Sequence, residues 1–315
     1  MTFAPINKRS TERWKADVQK SVLFYNDWFL EFAPETYIVA RESATAKVKA
    51  AFEKTNFFRN ITPILLDEAP DSIAILRMST TPPLARDRLS GLANVPKQLV
   101  KSLEEGKHPH DQAAFVRIVQ IINRLLDKEM MPWLSRGGKP YEHEAVVASA
   151  IIGDRVCGSL ADPIIRNEQE RRQLHGIETF LLKRGYRLVP AKDVSDCTSM
   201  APGTFAYHLN VSAKVARRKR VNIPVDVVVM RKSAKSGDLP LFIECKSAGD
   251  FTNTNKRRKE EAVKMEQLKK TYGNDAGLLL FLCGYFDSGY LGYEAAEGID
   301  WVWEHRIDDL EKTGV

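Results

Sequence analysis

The chain has 315 residues, with 47 Lys and Arg against 41 Asp and Glu and a formal net charge of +6 at pH 7. With 43% hydrophobic and 28% charged residues it is excluded from the disordered class, and its length predicts about two domains with enough chain to bury a sizeable core. No stretch approaches the run of about eighteen apolar residues that crosses a membrane, and the opening MTFAPINKRSTERWK lacks the apolar core of a signal peptide, so a cytoplasmic protein with no membrane partner is expected.

Apolar residues recur at helical spacing from Thr11 to Phe32, and Ala33-Pro34 is expected to stop that helix. Further helices are predicted around Ala44 to Thr55, Leu84 to Leu92, Pro96 to Leu103, Gln112 to Lys128 and Glu142 to Leu160, with breakers such as Pro82-Pro83 and Gly137 to Pro140 between them. The pattern changes near residue 162. Asp162-Pro163 is expected to open a helix through Lys183, followed by a strand at Tyr186 to Val189 and an irregular, partly extended insert from Asp193 to Val221. Asn222 to Met230 and Leu239 to Ser247 read as strands covered on both faces, Asn253 to Tyr272 as a charged helix, and Leu278 to Phe286 as a further buried strand. Such an order suits a mixed sheet flanked by helices. Cys157, Cys197, Cys245 and Cys283 form no C-x-x-C pair and are read as reduced thiols.

Glu244 and Lys246 lie two apart on one predicted strand, so they share a face with Cα atoms about 7 Å apart. Asp226 lies on the preceding strand, and a hairpin-like connection can bring the two strands together. Two converging carboxylates match the oxygen ligands of a hard cation such as Mg2+, and the Cys245 carbonyl could add another. Lys246 would then orient or help deprotonate water and offset charge on a phosphoryl group. A bare D…E-x-K also arises by chance on solvated faces. Here, however, all three residues interrupt apolar strands, where unpaired charge costs several kcal/mol.

This arrangement resembles the PD-(D/E)XK nuclease superfamily, with Pro224 and Asp226 as the "PD" and Glu244-Cys245-Lys246 as the "EXK". One departure is Val225 between Pro224 and Asp226. Longer segments, RWKADVQKSVLFYNDWFLEFAP, STTPPLARDRLSGL, LADPIIRNEQERRQL, ECKSAGDFTNTNKRRKEEA and LFLCGYFDSGYLGYEAAEGIDWVWEHRIDDLE, resemble type II restriction enzymes of the XamI/SalI family over nearly the whole chain. That resemblance implies an α/β restriction-endonuclease-like core and Mg2+-dependent cleavage of both DNA strands at a short palindrome, with GTCGAC the site it suggests. It also implies attack on phosphorus by metal-activated water, and a DNA methyltransferase as the functional partner in the same restriction-modification system.

A third carboxylate, Glu170, shares a helical face with Leu174, Ile177 and Leu181, where the superfamily often places an extra metal or water ligand; pairing with Arg166 or Lys183 is the alternative. Two basic clusters flank the candidate site. Lys214, Arg217, Arg218, Lys219 and Arg220 precede it, and Lys256, Arg257, Arg258 and Lys259 follow it, the second partly offset by Glu260 and Glu261. DNA backbone contact and a solvated face are the competing readings. Arg86 and Arg88 could read guanine edges, although Asp87 offers an ion pair, and Asn253 and Asn255 are alternative base readers. His108 and His110 could ligate a metal but fit a solvated loop better, while Trp301 and Trp303 fit strand packing better than base stacking.

The expected organisation is a helical region, residues 1–161, for DNA binding or dimerisation, and a nuclease core, residues 162–315. One signature per chain, set against a two-fold symmetric substrate, predicts a homodimer. A repair or junction nuclease on the same core, or a DNA-binding protein without catalysis, are the alternatives.

Overall fold

The computed structural model describes residues 4–216, 219–252 and 254–315. The chain starts with α1 (Thr11–Thr55) and continues through α2 (Pro63–Glu68), α3 (Ser72–Met78), α4 (Arg86–Ala93), α5 (Lys97–Glu104), α6 (Gln112–Leu125) and α7 (Trp133–Arg136) to α8 (Glu142–Lys183). Neither expected proline boundary interrupts a helix, since Pro34 lies inside α1 and Pro163 inside α8. A mid-helix proline removes one backbone hydrogen bond. Downstream of Pro34, Ala40, Ala44, Val48, Ala51 and Phe52 are all buried in one core, so tertiary packing holds those turns.

Two compact units result, Met1–Glu31 with Arg166–Val315, and Phe32–Ile165. The first 31 residues, expected with the helical region, thus belong with the sheet: the Trp14 ring meets Trp301 edge-on at 5.4 Å, and Ser21 Oγ accepts the Gly284 N–H at 2.8 Å. The helical unit has its own core, centred on fully buried Phe58, Leu66, Ile73, Phe115 and Trp133.

The other unit carries one six-stranded mixed sheet in sequential order. It comprises β1 (Arg187–Leu188), β2 (Thr204–Ala216), β3 (Lys219–Met230), β4 (Leu241–Ala248), β5 (Leu278–Gly284) and β6 (Asp300–Trp303), with α9 (Thr254–Tyr272) between β4 and β5 and α10 (Ser288–Ala296) between β5 and β6. The segment expected to be irregular and partly extended holds a long strand, β2, which pairs antiparallel with β3 from Thr204↔Met230 to Ala216↔Lys219. Pairing is parallel between β1 and β2, antiparallel between β3 and β4, and parallel from β4 through β6. Leu278, Leu280 and Leu282 pack on one core and Leu279 and Phe281 on the other, as a strand covered on both faces requires. Trp301 and Trp303 are fully buried on β6.

Two strands break that alternation at one level of the sheet. Residues two apart normally share a face. Yet Tyr207 packs with one core and Leu209 with the other, and Val227 and Val225 divide in the same way. Between them lies His208, whose backbone is left-handed at φ 48°, and the flanking pairs Tyr207↔Val227 and Leu209↔Val225 set it opposite Asp226.

Candidate active site

Asp226 occupies the point where β3 and β4 part. Their ladder consists of Val227↔Ile243, Val228↔Phe242 and Val229↔Leu241 and stops short of Asp226. Beyond it, the Asp226 carboxylate takes over the missing backbone acceptor, with Oδ2 receiving the Cys245 N–H at 2.8 Å. Burial raises the Asp226 carboxyl above the ordinary range, and the Glu244 charge adds to this, while the Cys245 N–H, Lys246 and Lys264 work in the opposite direction.

Glu244 and Lys246 stand on the face of β4 that Phe242 and Ala248 bury, the face away from Leu241 and Ile243. Glu244 is only 2% exposed. Its charge is compensated twice, by Lys246 Nζ at 3.1 Å from Oε2 and by Lys264 Nζ at 2.5 Å from Oε1. Lys264 also donates to the Pro224 carbonyl at 2.8 Å, which ties α9 to β3. Burial alone would lower the Lys246 ammonium; Glu244, Glu261 and Asp226 outweigh it and hold the group above its ordinary value.

Behind these groups lies a buried carboxyl pair. Glu261 accepts the Tyr290 hydroxyl at 2.6 Å, and burial and the neighbouring Glu261 push the Glu294 carboxyl up to about 9. Glu261 is therefore no solvated offset to the basic cluster, as the sequence suggested; it is 2% exposed.

Arg166, Gln169, Glu170 and Gln173 of α8 face Asp226, Cys245 and Lys246 across a cavity of about 280 Å3. The helix is fixed there by the Gln173 amide, which donates to the Phe281 carbonyl at 3.1 Å and the Lys246 carbonyl at 3.3 Å, and by the Arg172 pair with Glu304 at 2.8 Å. Ile177 and Leu181 on the same stripe are buried against the sheet, and Glu170 stands at its solvent end. The side chain beside it is His208, with 3.9 Å between Oε1 and Nε2, rather than Arg166 or Lys183. Glu168 turns away to Arg171.

This donor set fits a divalent cation. Carboxylate oxygens dominate it, and the Asp226 carboxyl, raised by burial and a like charge, gains from a cation, whereas Glu244 would exchange one of its two lysine ammonium partners for the ion. Because Lys264 supplies half of that compensation, Lys264→Met is expected to lower unfolding free energy by about 1–3 kcal/mol through a less satisfied buried carboxylate. Urea unfolding of the two proteins measures it, and an unchanged midpoint would mean that Lys246 alone satisfies Glu244.

The remaining sequence candidates divide. Lys214 and Arg220 are exposed neighbours on the β2–β3 hairpin, with Arg220 donating to Ser212 Oγ at 2.9 Å. Arg217, Arg218 and Asn253 lie outside the described residues, as do the side chains of Lys219, Asn255, Lys256, Arg257 and Arg258. Arg86, expected as a base reader, is paired with Glu104, which also takes Arg77, while Asp87 pairs with Lys97 at 2.8 Å; Arg88 is exposed. His108 Nδ1 lies 2.8 Å from the Asp67 carbonyl, and the only group of potential metal ligands among the described residues is Glu170, His208 and Asp226. All four cysteines are free thiols.

Sequence reasoning missed Lys264, Glu261 and His208. For Glu261 a signal was present, because Glu261, Met265, Leu268 and Tyr272 repeat at helical spacing, the test that singled out Glu170. For His208 the signal is the alternation of Tyr207 to Lys214, which marks a half-buried strand with His208 among its polar positions.

Residues 56–303 match the XamI restriction endonuclease family. The type II restriction enzyme SalI of Streptomyces albus G is 48% identical over 315 residues, covering 98% of this chain and 99% of that one. The type II restriction enzyme XamI of Xanthomonas campestris pv. amaranthicola is 26% identical over 204 residues, 63% of this chain and 66% of that one. Among solved structures, protein VC1899 from Vibrio cholerae matches at a TM-score of 0.28 and 13% identity, over 79% of this chain and 55% of its own, a level that carries no argument about fold. With the family match extending over most of its length and a nearly full-length relative at 48% identity, the chain belongs to the XamI restriction endonuclease family.

Proposed function

We propose that this chain is a type II site-specific deoxyribonuclease with a PD-(D/E)XK active site, cleaving both strands of DNA at a short palindrome, GTCGAC, with Mg2+. The observation that carries the reading is the meeting of Asp226 with Glu244-Cys245-Lys246 where β3 and β4 separate, beside an open polar cavity. Asp226 and Glu244 would hold the cation, with the Cys245 carbonyl as a further oxygen, and Glu170 would bind it or position water. Bound there, Mg2+ supplies Lewis-acid polarisation of a phosphoryl oxygen. Lys246 does what an ammonium beside the cavity can do: it orients the attacking water and offsets charge that builds on the phosphoryl group. The Cys245 N–H fixes Asp226, and Gln173 fixes α8, so these groups are held before substrate arrives.

The sheet unit would act as the nuclease core and the helical unit would bind DNA or dimerise, with Lys214 to Arg220 and Lys256 to Arg258 contacting phosphates. The test is digestion of a mapped DNA that carries a single GTCGAC. Expected are two fragments, formed only with a divalent cation and abolished by methylation of the site. Discrete cuts at another sequence would overturn the recognition site alone, and a preference for branched DNA would favour a repair nuclease. Cutting two antiparallel strands of a palindrome with one signature per chain requires two chains. Sedimentation with a palindromic duplex and Ca2+ is expected to show two chains per duplex, and concerted double-strand cutting by one chain per duplex would exclude the dimer.

A further inference from the structure

We propose that His208 is a nitrogen ligand for a divalent cation held jointly with Glu170 and Asp226, and that it biases the site toward Mn2+ or Co2+ relative to Mg2+. The inference rests on the reading above that Asp226 belongs to the metal centre. One ligand atom from each of the three residues lies within 4.8 Å of the others, and the Glu170 and His208 atoms are 3.9 Å apart. Two ligands on opposite sides of an ion with bonds of roughly 2.1 Å are about 4.2 Å apart. Closing the group onto an ion therefore needs movement on the order of 1 Å, within reach of side-chain rotation. Glu170 and His208 are both exposed, so they can rotate without disturbing the core. Glu244, whose oxygens each accept a lysine ammonium, joins the same ion by exchanging one of those ammonium groups for it.

The backbone supports the assignment. A left-handed histidine in the middle of a strand is uncommon, and here it coincides with the reversal of alternation opposite Asp226. Leu209 and Val211 return to the core while His208 remains exposed beside Glu170. Chemistry then sets the preference. Imidazole suits first-row transition ions, whereas Mg2+ favours carboxylate, carbonyl and water, so replacing one oxygen by nitrogen shifts selectivity along the series from Mn2+ to Co2+. The competing account is a plain His–Glu ion pair.

The test uses the full-length apoprotein without DNA, titrated with Mn2+ while free Mn2+ is followed by electron paramagnetic resonance, and with Mg2+ as competitor. His208→Gly is the main variant because glycine tolerates the left-handed backbone, and His208→Asn, which also populates that region, guards against a folding defect. Expected is a rise in the Mn2+ Kd of about tenfold or more in both, at least the scale seen when only an outer partner of a metal ligand is lost. Mg2+ affinity should fall less, so the ratio of Mn2+ to Mg2+ affinity drops. Co2+ bound to wild type should show a visible band that shifts in His208→Gly. If His208→Gly binds Mn2+ like wild type while Asp226→Ala does not, the ligand role is overturned and only the ion pair remains. If Asp226→Ala and Glu244→Gln both leave Mn2+ binding and cleavage intact, the metal centre itself is misplaced, a failure separate from that of His208.

Discussion

Glu244→Gln is expected to slow Mg2+-dependent DNA cleavage by roughly 10³-fold or more, the upper scale of removing one preorganised group that acts on developing charge. The substitution keeps the side-chain volume and removes the anionic oxygen that the cation requires. Gln is a better choice than Ala for a reason that lies in the packing. Glu244 is almost completely buried between Lys246 and Lys264, so Glu244→Ala would leave two ammonium groups facing each other over a void. Breaking a buried pair in that way costs about 3–5 kcal/mol, which would confuse loss of fold with loss of chemistry. Urea unfolding should therefore place Glu244→Gln closer to wild type than Glu244→Ala, with both inactive. Near wild-type cleavage by a folded Glu244→Gln protein would remove Glu244 from the active site.

Lys246→Ala is expected to cut about 10²- to 10³-fold more slowly while binding specific DNA with nearly unchanged affinity, because its ammonium acts on the reacting groups rather than on the bound duplex. The fold should survive this change. Glu244 keeps its 2.5 Å contact with Lys264, and the Lys246 backbone keeps its place in the β4–β5 ladder opposite Leu282. Single-turnover cleavage and a gel shift in Ca2+ separate the two effects. Collapse of binding, with normal cutting by the residual complex, would reduce Lys246 to a phosphate contact.

Much of the candidate site could be read along the chain, because a charge inside an apolar strand is a local anomaly. Asp226 within NIPVDVVVM and Glu244 and Lys246 within LPLFIECKS are visible without any fold, and period-two alternation places Glu244 and Lys246 on one face. Glu170 was legible for the same kind of reason, an acid at helical spacing with Leu174, Ile177 and Leu181. Proline misled: Pro34 and Pro163 are strong local breakers, and the helices that contain them continue because their later turns are buried. The β2 strand was legible too: Tyr207 to Lys214 alternates apolar and polar residues, and Leu209, Val211 and Ala213 are the buried set, the period-two pattern of a half-buried strand inside the segment expected to be irregular and only partly extended.

By itself, then, the sequence determined the family, the strands that carry the signature and the face that Glu244 and Lys246 share, since each depends on residue order within one short segment. The tertiary structure decided what meets that signature from elsewhere. Lys264 reaches Glu244 from α9, the Cys245 N–H reaches Asp226 because β3 and β4 part there, and His208 stands opposite Asp226 through the register of β2 on β3. Such contacts join residues 18 to 20 positions apart, and their geometry comes from strand register and helix docking, which no local pattern encodes.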